Sequence, residues 1–596
     1  MSERIADLAF LGDGHGAALV ARDGAVQWWC PPRFDAPSVF AQILDARAGH
    51  WSLRPRAIED VERRYVPGTM VLETTFRCAG GRLRLTDALA LAPGARGHET
   101  GHGSPHVLLR VAEALDGEVE VDLELAPRPE YARVVPRLIS TAAGIESIGG
   151  PDRILLVGDR PVQPCHDHAS ASFALAAGER AGFALQHLPG IAGDAPAPLD
   201  PAAALADTIA GWQSWSEQHQ SYQGAYHELV HRSSLVLRAL TYVETGAIVA
   251  APTTSLPEAI GGSANWDYRY AWLRDASLTL TALWVGACPD EARRYFDWMS
   301  RAAAPGSHSE HVQIVFGVEG ERDLAEHELE HLAGFRDSRP VRVGNAAWRQ
   351  QQLDVLGEVL QGAWVLRDQL DDLDDFTAEF LAGLADRAAR DWRKPDAGIW
   401  EAREGDRDYV SSKLLCWVAL DRAIRLAPKL GAHADRDAWA EARDAVRDAI
   451  CDEGWSEDAG AYTGAFGSDH LDASVLLMPI LGFVDAGDER MLATIDAVER
   501  DLARDGLVQR WSGAGDEGAF VACSYWLAHC RALAGQLDQA RALFEQVSAH
   551  ANDLGLLSEE IDISGGELLG NFPQGLSHVA LINAAWAIDQ AERGAT

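Results

Sequence analysis

Ala195-Pro196-Ala197-Pro198-Leu199-Asp200-Pro201 divides this chain into two kinds of sequence. Proline supplies no N–H to a ladder or a helix interior, so a passage this rich in it ends whatever regular structure precedes it. Upstream the apolar residues recur with period two. Arg82-Leu83-Arg84-Leu85-Thr86 and Glu118-Val119-Glu120-Val121-Asp122-Leu123-Glu124-Leu125 each place their apolar side chains on one face, as half-exposed antiparallel strands do. Ser172-Phe173-Ala174-Leu175 and Phe183-Ala184-Leu185-Gln186 continue the pattern, and Gly and Pro clusters punctuate it. Residues 1–200 therefore read as a large antiparallel β-sandwich. Gly12-Asp13-Gly14-His15-Gly16 lacks the strand, helix and downstream acid of a dinucleotide loop and is read as a plain turn.

Downstream the period becomes 3.6. A linker helix is expected over residues 201–225. From 226 to 596 about twelve amphipathic helical segments follow, beginning near 226, 275, 289, 346, 374, 411, 435, 472, 489, 519, 537 and 577. Helical hairpins repeated about six times close into a double ring, an (α/α)6 barrel, whose long loops gather at one end and frame a pocket. The run Asp371-Asp372-Leu373-Asp374-Asp375 is expected to cap a helix start.

The 596 residues suffice for a large core in more than one domain. With 52 Lys+Arg against 89 Asp+Glu the net charge is −37, which repels nucleic acid and anionic membrane surfaces. Met1-Ser2-Glu3-Arg4-Ile5-Ala6-Asp7 has no basic, then apolar, leader pattern, and no apolar run reaches the length of a membrane span. Eight cysteines without a C-x-x-C pair fit a reducing compartment, and the cytoplasm is the expected location. Nineteen tryptophans against eleven tyrosines supply indole faces of the kind that stack on sugar rings.

Three stretches carry chemistry. In Asp396-Ala397-Gly398-Ile399-Trp400-Glu401-Ala402-Arg403, Glu401 follows an indole; a glutamate held against Trp400 loses hydration, which raises its pKa toward that of a general acid. In Asn265-Trp266-Asp267-Tyr268-Arg269-Tyr270-Ala271-Trp272-Leu273-Arg274-Asp275, four aromatics surround two Arg and two Asp, and Arg274 with Asp275 offers a donor fork and an acceptor for vicinal hydroxyls. The same pair also reads as a structural ion pair at a helix start. In Leu556-Leu557-Ser558-Glu559-Glu560-Ile561-Asp562, followed by Gly570-Asn571-Phe572-Pro573-Gln574, a loop carboxylate is placed to activate water.

Together with Leu11-Gly12-Asp13, Asp23-Gly24 and Pro32-Arg33-Phe34-Asp35, these motifs resemble bacterial glycoside hydrolase family 15, the glucoamylase, glucodextranase and trehalase-like family, along nearly the whole chain. The resemblance implies a β-sandwich followed by an (α/α)6 barrel, and hydrolysis of α-glucosidic bonds from the non-reducing end with inversion. It implies Glu401 as general acid and Glu559 as general base. It also implies that Arg274 and Asp275 hold the terminal glucose, that Tyr268 and Trp272 wall it, and that Trp400 precedes the acid. Inversion requires room for a water, so the two carboxyls are expected about 6.5–9.5 Å apart. Ser338-Arg339-Pro340-Val341-Arg342-Val343-Gly344-Asn345 lacks the acid of the glucoamylases and resembles the trehalase and isomaltose-hydrolase branch. Trehalose, isomaltose or malto-oligosaccharides are the expected substrates, with Arg339, Arg342 and Glu517 as candidates on the leaving-group side. No metal or other cofactor is called for, the expected partner is a small carbohydrate, and a homo-oligomer is compatible with the sequence.

Two competing signals remain. His327-Glu328-Leu329-Glu330-His331 satisfies H-E-x-x-H, which on a helix binds zinc with the Glu as base. The favoured alternative puts this loop across the barrel mouth, with Glu328 or Glu330 at the substrate. Cys165-His166-Asp167-His168 reads as an exposed turn rather than a metal site. A sugar-binding protein without catalysis is the third reading, disfavoured by intact acid and base candidates.

Overall fold

The structure is a computed structural model that describes residues 4–595 apart from 152, 191–198, 219–221, 287–288, 304–311, 371–372, 404 and 516. The strands of the first 188 residues form one branched antiparallel system of two layers. Val107–Ala126 runs through both: residues 107–117 pair with Gly81–Leu89 and Arg180–Leu188, while residues 118–126 pair with His50–Pro55 and His168–Ala176. The second half of this strand alternates buried and exposed, as its sequence does, whereas Val107–Ala112 is buried throughout. Between the layers, Arg110 and Asp87 are both fully buried and pair at 2.9 Å, and Arg110 also donates to the Trp51 carbonyl at 2.8 Å. The Gly12–Gly16 segment is a hairpin turn in which Asp13 Oδ1 accepts from the His15 and Gly16 amides. Cys165–His168 likewise turns a hairpin, with Asp167 paired to Arg128.

Of the proline-rich divider, residues 195–198 lie outside the described residues, as do Asp371 and Asp372 of the acidic run. The helix Pro201–Gln218 follows the divider. Thereafter an inner ring is built from Ala276–Gly286, Asp354–Val365, Val410–Leu430, the short pair Ala473–Leu476 and Leu477–Ile480, Val521–Leu533 and Gly575–Ala595, the last packing back on the first. The outer helices His227–Ala239, Pro289–Ala303, Asp375–Asp391, Arg436–Glu453, Glu489–Leu502 and Leu537–Ser548 cover it. Asp374 caps its helix by accepting from the Thr377 amide at 2.8 Å, as expected of the acidic run. The helix expected near 346 begins instead at Asp354. Asn345 does cap at 346, accepting from the Ala347 amide, but it caps a single 3-10 turn. Among the described residues no helix is long and apolar enough to cross a membrane.

The two halves are joined by a polar seam. Trp28 Nε1 donates to the Pro252 carbonyl at 2.8 Å, Asn552 Nδ2 to the Leu8 carbonyl at 2.9 Å, and the buried Arg63 guanidinium pairs with Asp553.

Candidate active site

The long loops at one end of the helical ring enclose a cavity of about 840 Å³. Tyr268, Arg274, Asp275, Trp400, Glu401 and Glu559 all line it, so the three stretches singled out in the sequence converge on one space.

Glu401 sits on a tight loop. Its ends are tied by the bridge between Asp396 and Arg407, and Gly398 turns the chain at φ +69°. A Cβ on Gly398 would stand 2.5 Å from the Tyr409 ring, so the position demands glycine on two counts. Glu401 itself has φ +58°, a left-handed conformation that is uncommon for a residue with a side chain and typical of functional sites. Successive side chains on this loop diverge. Trp400 points its Nε1 to Asp472, at 2.9 and 3.1 Å, and burial pushes the Asp472 carboxyl upward. The indole that contacts Glu401 is therefore Trp272, whose Nε1 donates to Oε1 at 2.8 Å, not the neighbouring Trp400 anticipated from the sequence. Arg274 Nη1 donates to the same Oε1 at 2.7 Å and to the Ile399 carbonyl at 2.8 Å, while its Nε donates to Asp275 at 3.0 Å. Both donors hold Oε1, which leaves Oε2 as the oxygen for a ligand.

Behind Arg274 lies a second layer of buried carboxyls. Burial, with the charge of Asp396, pushes Asp354 up to about 7; burial raises Glu358 to about 8 against the Ser277 amide it accepts at 3.0 Å.

Glu559 is 1% exposed and precedes the short strand Glu560–Ile561, which is paired on both sides. Its Oε2 accepts from the Asn571 amide at 3.2 Å, and Tyr268 lines the cavity with it. Gly570 makes this fit possible, since a Cβ there would stand 2.5 Å from Oε2. Burial and then the charge of Glu258 push the Glu559 carboxyl up to about 8, against Arg510, the Asn571 amide and Tyr268. Arg510 binds three further carboxylates: Glu258 at 2.6 Å, Glu517 at 3.0 Å and Glu560 at 3.3 Å. Among the described residues these three form the one group with ligand atoms within 4.8 Å of each other, close enough for a metal ion, but the Arg510 guanidinium already pairs with all three.

The remaining candidates divide. Trp272 is 2% exposed and backs Glu401 rather than lining the cavity. Glu517 lines it in its pair with Arg510. Arg342 stands behind Trp266, its guanidinium 4.4 Å from the ring centroid. Arg339 is exposed, donates to the Ala333 carbonyl at 3.3 Å and lines no part of the cavity. His327 and Glu328 are exposed and form a two-residue strand against Arg342–Val343, so the helix that H-E-x-x-H chemistry needs is absent here. Neither Glu328 nor Glu330 lines the cavity; His331 instead bonds through Nε2 to the Tyr131 carbonyl at 2.7 Å, turning the loop onto the β-layers. Sequence reasoning passed over Glu258, Asp472, Arg403 and Arg510. The signal for Arg510 is an arginine next to an indole in a loop stretch, Gln509-Arg510-Trp511.

A family profile described as glycosyl hydrolases family 15 matches residues 224–586, and one described as trehalase-like, N-terminal, matches residues 1–163. The chain is 35% identical to a trehalase of Mycolicibacterium smegmatis over 99% of its own length and 92% of that protein. It is 33% identical to a trehalase of Thermoplasma volcanium, over 98% and 93%. A bacterial glucoamylase complexed with acarbose superposes with a TM-score of 0.75 over 99% of this chain and 94% of that one; at 14% identity that likeness is one of fold. With a matching profile over most of the helical ring and full-length relatives above 30% identity, the chain belongs to glycosyl hydrolases family 15.

Proposed function

We propose that this glycoside hydrolase is an exo-acting, inverting α-glucosidase whose foremost substrate is trehalose, with Glu401 as general acid and Glu559 as general base. The observation that carries the reading is that both carboxyls line one cavity with the Arg274–Asp275 pair, in a volume of the size that encloses small ligands. The curated relatives that match over nearly the full chain are trehalases, which favours trehalose over isomaltose or malto-oligosaccharides.

Arg274 and Asp275 bind hydroxyls of the terminal glucose and fix its anomeric carbon. Glu401, protonated on Oε2, gives its proton to the glycosidic oxygen as the C1–O bond breaks. Glu559 takes a proton from a water that attacks C1 from the opposite face, so C1 inverts. On trehalose the attacked residue leaves as β-glucose and the other as α-glucose. Early in the reaction proton NMR shows the two anomers in equal amounts, whereas retention gives α-glucose alone. A carboxyl separation of about 6.5–9.5 Å belongs to the same expectation.

The test is glucose release from a panel of trehalose, isomaltose, maltose, dextran and soluble starch. Glu401→Gln and Glu559→Gln each lower turnover about 10²–10⁴-fold, because the isostere keeps shape and removes proton transfer. Near-normal activity of Glu401→Gln refutes the acid assignment. Saturable trehalose binding without glucose release in the wild type identifies a sugar-binding protein instead.

A further inference from the structure

Arg403 lies two residues beyond Glu401 and lines the same cavity. The two ends of that cavity differ in depth: the Arg274 and Asp275 side chains are 13% and 16% exposed, the Arg403 side chain 38%. If the terminal glucose occupies the deep end and Glu401 protonates the oxygen leaving it, the departing sugar extends toward the rim, where Arg403 stands.

The Arg403 guanidinium is held in place on two sides. Nη1 and Nη2 meet Glu326 at 3.4 and 3.1 Å, and Cζ lies 3.8 Å from the centroid of the Trp266 ring, a second cavity wall. Burial pushes the Glu326 carboxyl up, yet the hydrogen bonds from Arg403 and the Ala346 amide and the charges of Arg403 and Arg342 hold it below the usual carboxylate range. Glu326 is thus an ionised anchor. Arg342 meets the same Glu326 at 3.4 Å, but it is committed elsewhere: Nη1 donates to the Ser263 and Asn265 carbonyls, at 2.8 and 3.1 Å, which fixes the loop that carries Trp266. Among the described residues Arg403 has no such backbone bonds. Its Nε–H and outer N–H groups remain for a ligand.

From this arrangement we infer that Arg403, held flat against Trp266, is the residue that recognises the leaving-group sugar, donating from its fork to vicinal hydroxyls of a second pyranose. Glu326 positions it. The inference deepens, and rests on, the α-glucosidase reading. It predicts a preference for leaving groups that are themselves hydroxylated rings over small or apolar ones.

Trehalose and α-glucosyl fluoride separate the two ends of the cavity, since fluoride is a leaving group with no ring for Arg403 to hold. In Arg403→Ala, kcat/KM for trehalose falls about 30-fold, chiefly through KM, the ordinary effect of losing charge-assisted hydrogen bonds. Hydrolysis of α-glucosyl fluoride, which needs little help from the acid, falls less than about 3-fold, which also reports that the variant is folded with a working base. Arg403→Lys keeps the charge but not the planar fork and loses most of the trehalose preference as well. Glu326→Gln gives an intermediate loss on trehalose only. An equal fall on both substrates overturns the inference, because Arg403 would then matter for the whole site; a trehalose loss carried by kcat with KM unchanged overturns it too, because Arg403 would then act through the Glu401 acid. Failure of the wild type on both substrates instead sinks the α-glucosidase reading itself.

Discussion

Replacing Glu258 by glutamine removes one negative charge from the carboxylates around Arg510 while keeping the side-chain shape. The size of the effect follows from spacing. Glu258, Glu517 and Glu560 have ligand oxygens within 4.8 Å of one another, and one guanidinium serves all three. At an effective dielectric of about 20, two like charges at that distance repel by about 3.5 kcal/mol, or about 2.5 pK units. Burial and this repulsion push the Glu258 and Glu560 carboxyls up, against the Arg510 charge. Glu559 feels the same field, with Glu258 the largest charge raising it after burial, toward about 8. Removing that charge makes the Glu559 carboxylate easier to form and leaves Arg510 freer to stabilise it, so its pKa falls by about one to two units. A general base must be ionised to act, and the acid limb of kcat/KM reports its pKa in the free enzyme. The wild-type limb is expected near pH 8, and the Glu258→Gln limb about one to two units lower. The assay is initial-rate hydrolysis of α-glucosyl fluoride from pH 5 to 9, with Tm measured at each pH. A limb that stays in place or moves upward refutes the reasoning, for Glu258 would then carry no charge that Glu559 feels.

Asp354→Asn tests the carboxyl layer behind Arg274. Asp354 is fully buried and raised from 3.8 to about 7, so its ionisation opposes folding increasingly as pH climbs from about 4, and fully above about 7. The asparagine variant gains up to about 4 kcal/mol at pH 8 and almost nothing at pH 4, read as a difference in Tm that widens with pH. Arg110→Ala strands the buried Asp87 between the β-layers and costs about 3–5 kcal/mol in denaturant unfolding, more than deleting any exposed pair such as Arg500–Asp501. Gly398→Ala meets the Tyr409 ring and a positive φ together; displacing the Glu401 loop by about 1 Å lowers kcat about 10²-fold, a larger effect on rate than on Tm.

What the sequence discloses depends on how local the signal is. Alternation reveals residues 118–125 as a strand because one face meets water. The half at Val107–Ala112 is buried on both faces, shows no alternation, and escapes notice as the same strand continued into the other layer. The segment near 346 carries a true capping asparagine, but propagation past one turn needs a buried face, and that begins only at Asp354. Glu401 and Glu559 are found because each lies in a run of unusual composition, whereas Glu258 lies in no such run and meets Arg510 through a contact made between distant loops. The pairing of Glu401 with Trp272 rather than Trp400 is set by a backbone turn, which adjacency in sequence does not encode. Both readings of Arg274–Asp275 describe the structure: the two pair at 3.0 Å just before the helix Ala276–Gly286, and they line the cavity. A second pair in the same stretch, Asp267 with Arg269, went unread and is fully buried.

That division is a consequence of extended backbone. The Ser255 and Ala251 amides donate to the Trp266 and Tyr268 carbonyls, and the Ala250 amide to Tyr270, which holds residues 266–270 straight. Successive side chains on a straight strip face opposite ways. Trp266 and Tyr268 reach the cavity; Asp267 and Arg269 enter the seam with the β-layers. There Arg269 forks onto Asp267 at 2.8 and 2.7 Å, donates to the Ala36 carbonyl at 2.9 Å and lies over the Tyr131 ring at 5.5 Å. Asp267 in turn accepts from the Gly344 amide at 3.1 Å, next to the strand that carries Arg342. The buried charge pair is satisfied only when a carbonyl and a ring from the first half of the chain are present, since a guanidinium out of water needs each donor met. A helical ring without its β-layers would leave Arg269 short of partners and free the strip to shift, and with it Tyr268 of the cavity wall. The β-layers therefore contribute to the shape of the cavity wall, through a strip one residue thick.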